Sequence, residues 1–247
     1  PVSVVAPQHT PKLLTTLPVK AELIASLGVA ELIVIPFDAA FAARPPERFV
    51  QEVLVSALAA SRVAIGENFR FGYRAKGDPA MLSADERFAT VVHPLLELDG
   101  EVVSSSHIRG LVLAGEVDQA ARFLGAPFQL RGEVVHGDER GRRLGFPTAN
   151  LIPEEALACP GHGVYACLAN ESIPAAVSIG VRPTFATGRG ELIEAHLIDF
   201  QGDLYGGTLR LDFLARLRGE RRFESPQALI DQMDHDVRRT REIVAER

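Results

Sequence analysis

At Gly125-Ala126-Pro127 the 247-residue chain changes its pattern, and no single regular architecture accommodates both sides. Upstream, short β-branched runs alternate with helical spacing: ELIVIP over 31–36 and RVAI over 62–65 read as strands, whereas Phe49, Val50, Val53 and Leu54 recur at helical intervals over 46–58. That order predicts an α/β unit with a parallel sheet. Downstream, residues 129–135, 163–169, 175–179, 192–198 and 208–217 read as strands separated by Gly/Pro-rich turns, the spacing of an antiparallel barrel. Leu209, Leu211 and Phe213 alternate with Arg210 and Asp212, so one face of the last strand is buried.

Local punctuation agrees with this division. Thr16 and Pro18 predict a helix start and Gly28 its end; a second helix is expected over 105–114, broken by Gly115, and a third over 116–124. Ser225 and Pro226 open a closing helix with Leu229, Ile230, Met233 and Val237 on one face. The pattern predicts an α/β N-terminal domain over 1–126. An antiparallel Greek-key-type β-barrel with a C-terminal helix follows over 127–247.

Composition narrows the function classes. Hydrophobic residues make up 47% and charged residues 23%, ordinary for a folded enzyme. A net charge of -6 with no basic stripe predicts no nucleic-acid partner. No apolar run approaches the roughly 20 residues of a membrane span, which predicts a cytoplasmic protein with no membrane partner; oligomeric state has no signal in the sequence. Cys159 and Cys167 match neither redox nor zinc spacing and read as buried or incidental thiols, and the seven histidines form no metal motif. Any metal is expected to be Mg²⁺ carried by a nucleotide. The opening PVSVV reads as the middle of a strand, which implies residues upstream.

The densest chemistry lies in GEVVHGDERGRRLGFPTANL over 132–151, with four glycines, three arginines and the oxygen ligands Thr148 and Asn150. Such a run can wrap a polyphosphate. By composition alone it fits equally well a glycine-rich hairpin with a charged, solvated tip.

This segment resembles the signature of the riboflavin kinase family, in which it encloses Mg-ATP. The resemblance implies Thr148 and Asn150 as Mg²⁺ and ATP ligands, with His136, Gly137, Arg140 and Arg142 in the loop over the nucleotide. It continues through EAHLIDF over 194–200, which makes Glu194 the base for the ribityl hydroxyl. Glu191 is a weaker rival, and His196 and Asp199 are expected to be peripheral. IGVRPTF over 179–185 and GDLYG over 202–206 extend the match. LRGERRF over 217–223 is expected near the flavin, with Arg218 and Phe223 as contacts, although Arg218 could instead pair with an acid and Phe223 anchor the helix. GHGVYA over 161–166 matches a dinucleotide fingerprint but opens a strand, so no pyrophosphate site is expected there.

The first half resembles the FMN adenylyltransferase module that precedes riboflavin kinase in bacterial bifunctional enzymes, which implies that its α/β domain over 1–126 is nucleotidyltransferase-like (Rossmann-like). The carrying runs are LTT at 14–16, LIVIPFD at 32–38, IGENFRFG at 65–72 and VSSSHIR at 103–109. The resemblance implies that Ser105, Ser106 and Arg109 hold ATP phosphates and that Asn68 faces the flavin or nucleotide; Ser105 could equally be a plain helix cap. The family's opening strand and its G-x-F-D-G-V-H-x-G-H turn do not occur in this sequence. Adenylyl transfer by this chain is therefore expected to be severely impaired. Riboflavin, FMN, FAD and ATP are the implied small molecules. The rivals are a monofunctional kinase with a degenerate first domain and a non-catalytic flavin-binding regulator.

Overall fold

The computed structural model describes residues 2–136, 145–182 and 190–247. Its contacts define two compact units, one of Pro1–Pro11 with Ala21–Val103, the other of Lys12–Lys20 with Ser104–Arg247.

In the first unit, β1 (Arg62–Gly66) pairs in parallel with β2 (Ala89–His93), and the short β3 (Glu97–Leu98) pairs antiparallel with β4 (Glu101–Val102). Helix α1 (Leu17–Ser26), which the division between units cuts after Lys20, starts as expected: the Val19 amide donates to Thr16 Oγ1 at 3.4 Å, and Gly28 takes φ +82° two residues past its end. The helical run from Pro46 begins as α-helix (Pro46–Phe49) and widens to π-helix over Val50–Ala57. Val50, Phe71, Leu82 and Phe88 form this unit's core, packed against Phe49, Leu54, Val63, Phe69 and Met81.

Two expected strands are absent from this unit. Residues 31–36 have no regular structure, and Val2–Val5 form one helical turn. Strand propensity matters only where a neighbouring edge accepts the ladder, and among the described residues the β1–β2 pair is this unit's one parallel sheet. Leu32, Ile33, Val34 and Ile35 are accordingly 43%, 54%, 57% and 38% exposed.

The second unit begins its folded body with α2 (Ser105–Ala114) and α3 (Val117–Leu124), each closed by a left-handed glycine, Gly115 or Gly125. A closed six-stranded barrel follows in the order β10–β5–β6–β9–β8–β7. Its strands are β5 (Phe128–Val135), β6 (Ala149–Ile152), β7 (Gly163–Ala169), β8 (Ile173–Arg182), β9 (Gly190–Leu197) and β10 (Thr208–Arg218). The first hairpin, β5–β6, is joined by β9 instead of β7, and β7–β8–β9 run as a meander. Every pair in the barrel is antiparallel.

Alternation along the strands fills the interior. Leu209, Leu211 and Phe213 are fully buried with Tyr165, Cys167, Val177, Ile179, Ile193 and Leu151. Both cysteines are buried and unbridged. The GHGVYA segment enters β7 as a strand, and a Cβ on Gly161 would lie 2.7 Å from the Leu113 carbonyl oxygen. Glycine here permits α2 to approach the barrel.

The closing helix α4 (Pro226–Ala245) is capped by Ser225, whose hydroxyl accepts from the Ala228 amide at 3.1 Å. Leu229, Ile230, Met233 and Val237 are half-buried as expected, but the two fully buried positions are Asp236 and Thr240. Thr240 satisfies its hydroxyl on the Asp236 carbonyl at 2.8 Å.

Candidate active site

Strand β6 is four residues long and carries the end of the glycine-rich run into the barrel wall. Its register sets Asn150 opposite Glu194 of β9 and Val135 of β5, and Glu194 opposite Ser178 of β8. Cross-strand partners share a face. The neighbouring rows are core: Leu151 faces Ile193, which faces Ile179, and Ala149 faces Ala195, which faces Val177. Glu194 is half-buried and Asn150 is 7% exposed. The barrel thus presents a carboxamide and a carboxylate in adjacent positions of one polar row.

Thr148 precedes β6 by one residue and lines a cavity of about 350 Å³ with Pro147, Leu197, Phe200 and Tyr205. His136, at the end of β5, stacks on Tyr205 with ring centroids 3.8 Å apart. His196 holds the approach to β6, its Nδ1 lying 2.9 Å from the Pro147 carbonyl oxygen and its ring edge-on to Phe146. Thr148, Asn150 and Glu194 offer a hydroxyl, an amide and a carboxylate. Such hard oxygen donors suit Mg²⁺, which keeps phosphate and water as its remaining ligands. Among the described residues no cluster of three His, Cys, Asp or Glu side chains forms a rival metal site. Gly137, Arg140 and Arg142 lie outside the described residues.

Glu191, at the start of β9, pairs with His162 at 3.1 Å, and its side chain is 43% exposed. Asp199 pairs with Arg241 of α4 at 2.9 Å. Arg218 pairs with Asp236, both Nε and Nη2 lying 3.0 Å from Oδ2. The guanidinium carbons of Arg218 and Arg221 stand 5.6 and 4.9 Å from the Phe223 ring centre. Sequence reasoning passed over Asp236, Gln232, Tyr205 and Phe200. The available signal was polar Asp236 and Thr240 in the inward stripe of an otherwise apolar helix face.

The cap of α2 is Ser104, whose hydroxyl accepts from the His107 amide at 3.2 Å. Ser105 and Ser106 occupy the exposed first turn instead. Arg109, one turn on, donates from Nε to the Lys12 carbonyl at 2.6 Å. Asn68 is exposed in the turn that follows β1, where the Phe69 amide donates to Gly66. A further cavity of about 420 Å³ lies between residues 14–19 and the β5–β6 region, and none of the residues assigned to either reaction lines it.

Burial sets the protonation of the barrel's thiols and phenol. Desolvation pushes Cys159 up to about 12, with nearby Glu191 adding to it, and holds Cys167 well above the thiol range. Tyr165 is likewise raised to about 12 by burial, and its hydroxyl donates to the Gly161 carbonyl. These groups are neutral and structural at ordinary pH.

Comparison with known proteins defines the class. Residues 124–244 match the riboflavin kinase family model and residues 1–107 the FAD synthetase model, so the chain joins a flavin kinase to a flavin nucleotidyltransferase. Bifunctional riboflavin kinase/FMN adenylyltransferases from Listeria monocytogenes and Bacillus subtilis are 34% and 35% identical to it. These matches cover 95% and 96% of this chain and 76% and 77% of those proteins. The Escherichia coli protein of the same description is 35% identical over 98% of this chain and 79% of its own. A crystal structure described as a macrolide-efflux protein from Streptococcus pneumoniae superposes with a TM-score of 0.86 at 31% identity, covering 92% of this chain and 75% of that one. No helix among the described residues is long and apolar enough to cross a membrane.

The chain belongs to the bifunctional riboflavin kinase/FMN adenylyltransferase family, whose two activities convert riboflavin to FMN and FMN to FAD. These matches favour neither a monofunctional kinase with a degenerate first domain nor a non-catalytic regulator. The first half has its own FAD synthetase match, and the relatives carry both activities in their names.

Proposed function

We propose that Glu194 is the general base of the kinase half and that Thr148 and Asn150 hold the Mg²⁺ of Mg-ATP. The observation that carries this reading is the register pairing of Asn150 with Glu194 on one face of the barrel. Glu194 takes the proton of the riboflavin 5′-hydroxyl as that oxygen bonds to the γ-phosphorus. The bond from the γ-phosphorus to the β,γ-bridging oxygen breaks, and ADP departs with the electron pair. Mg²⁺, when bound, neutralises charge on the phosphates. His136, Gly137, Arg140 and Arg142 cover the nucleotide, while Phe223, with Arg218 behind it, faces the flavin.

In the adenylyltransferase half, Ser105, Ser106 and Arg109 receive ATP phosphates at the start of α2, and Asn68 faces the flavin or nucleotide. We place the boundary between the halves at Ala126/Pro127 and the enzyme in the cytoplasm, where unbridged cysteines and ATP are both at home. The testing experiment incubates the 247-residue chain and its Glu194→Gln variant with riboflavin, ATP and Mg²⁺ and resolves FMN from FAD. Wild type is expected to form FMN, with the variant at least about 10²-fold slower. Wild-type turnover in the variant removes Glu194 from the mechanism.

A further inference from the structure

The seven residues from Arg218 to Glu224 are tied to α4 by a closed ring of side chains. Arg218 ends β10 with its nitrogens committed: Nε and Nη2 lie 3.0 Å from Asp236 Oδ2, and Nη1 donates to the Gly219 carbonyl at 3.2 Å. Asp236 is 4% exposed, and its second oxygen accepts from Gln232 Nε2 at 2.6 Å. Gln232 Oε1 in turn accepts from Arg221. The ring closes on Phe223, over which both guanidinium groups stand.

Each link has a physical reason. A buried carboxylate is stable only when its oxygens are occupied, and Asp236 has a guanidinium on one and a carboxamide on the other. Residues 219–224 have no regular secondary structure, and Arg218 and Arg221 each surrender rotamer freedom to stay in place. The helix supplies the partners that offset this cost before substrate arrives. Each Arg218 nitrogen already has a partner inside the protein, so its guanidinium is held in place to support the aromatic ring.

We infer that Asp236 and Gln232 are positioning residues of the kinase reaction. From α4 they fix Arg218 and Arg221 against Phe223 and so preorganise an aromatic surface for the planar ring system of riboflavin. The inference rests on the reading that Phe223 faces the flavin.

Its test compares full-length Gln232→Ala, Asp236→Asn, Phe223→Leu and the double variant Gln232→Ala/Phe223→Leu for riboflavin KM, Mg-ATP KM and kcat. Loss of the Gln232 bonds is expected to raise riboflavin KM about 5-fold, the effect of about one net hydrogen bond, leaving kcat and Mg-ATP KM within about 2-fold. The double variant is expected to match Phe223→Leu alone, because Gln232 acts through that ring. An unchanged riboflavin KM in Gln232→Ala, or a penalty fully additive with Phe223→Leu, overturns the positioning role. An unchanged KM in Phe223→Leu itself overturns the flavin placement on which the inference rests. Should Asp236→Asn fail to fold, the half-buried Gln232 decides the matter.

Discussion

Asn150 and Glu194 are direct register partners across the β6–β9 ladder, so a metal-ligand type and a base type stand one strand spacing apart on a rigid wall. Neither position belongs to a loop. Replacing Glu194 with Gln keeps the side chain's shape and removes only its capacity to take a proton. Turnover of riboflavin is expected to fall by about 10²-fold or more, while flavin binding, followed by fluorescence titration, stays within about 2-fold. A parallel loss of binding would make Glu194 a recognition residue.

Thr148 and Asn150 give a different signature. If they hold the nucleotide's metal, Thr148→Val and Asn150→Ala raise the Mg²⁺ concentration required for half-maximal rate, by about 10-fold on the scale of a lost ligand or its support. A rate deficit that saturating Mg²⁺ leaves untouched in both variants would place the metal elsewhere. Thermal melts without ligand separate this from a folding defect, since Asn150 is 7% exposed.

The interior of the barrel predicts a large stability effect remote from the chemistry. Phe213 is fully buried and meets Tyr165 edge-on with ring centres 5.5 Å apart. Phe213→Ala is expected to cost about 3–5 kcal/mol in a reversible denaturant titration. A cost under about 1 kcal/mol would mean that the barrel collapses into the space.

Alkaline pH should unfold the barrel by a defined route. Cys159 and Tyr165 are raised to about 12 from ordinary values of 9.0 and 10.0, in each case chiefly through burial. The folded state therefore retains protons that the unfolded chain has lost between those limits. Stability is fully present below about pH 9 and declines as pH rises toward about 12. Melting temperatures measured from about pH 8 to 11 should fall, and Cys159→Ala should lessen the slope. A flat profile would contradict the burial of these groups.

The barrel was legible where strand-like runs are set apart by Gly/Pro-rich turns, and β7 and β10 stand within one residue of their expected bounds. Strand β6 escaped because its four residues close the glycine-rich run, and their composition reads as ligand-binding loop before it reads as strand. The run at 31–36 failed in the opposite sense: its propensity is strong, but a strand is a pairing, and nothing in a single segment reports whether an edge is available. Thr148, Asn150 and Glu194 were singled out through the motif resemblance, whereas the register that pairs Asn150 with Glu194 had no signal in the sequence. Asp236 was invisible because its partner Arg218 lies 18 residues away on another element.

The shortness of β6 has a consequence for how substrate and fold depend on each other. With four residues it is the seam at which the first hairpin is stitched to the meander, and Thr148 and Asn150 sit at and beside that seam. A nucleotide bound there would clasp the joint and lend the whole cylinder its binding free energy. The apoenzyme would then breathe first along the β6–β9 edge, and cellular Mg-ATP would act as a folding staple before it served as phosphoryl donor.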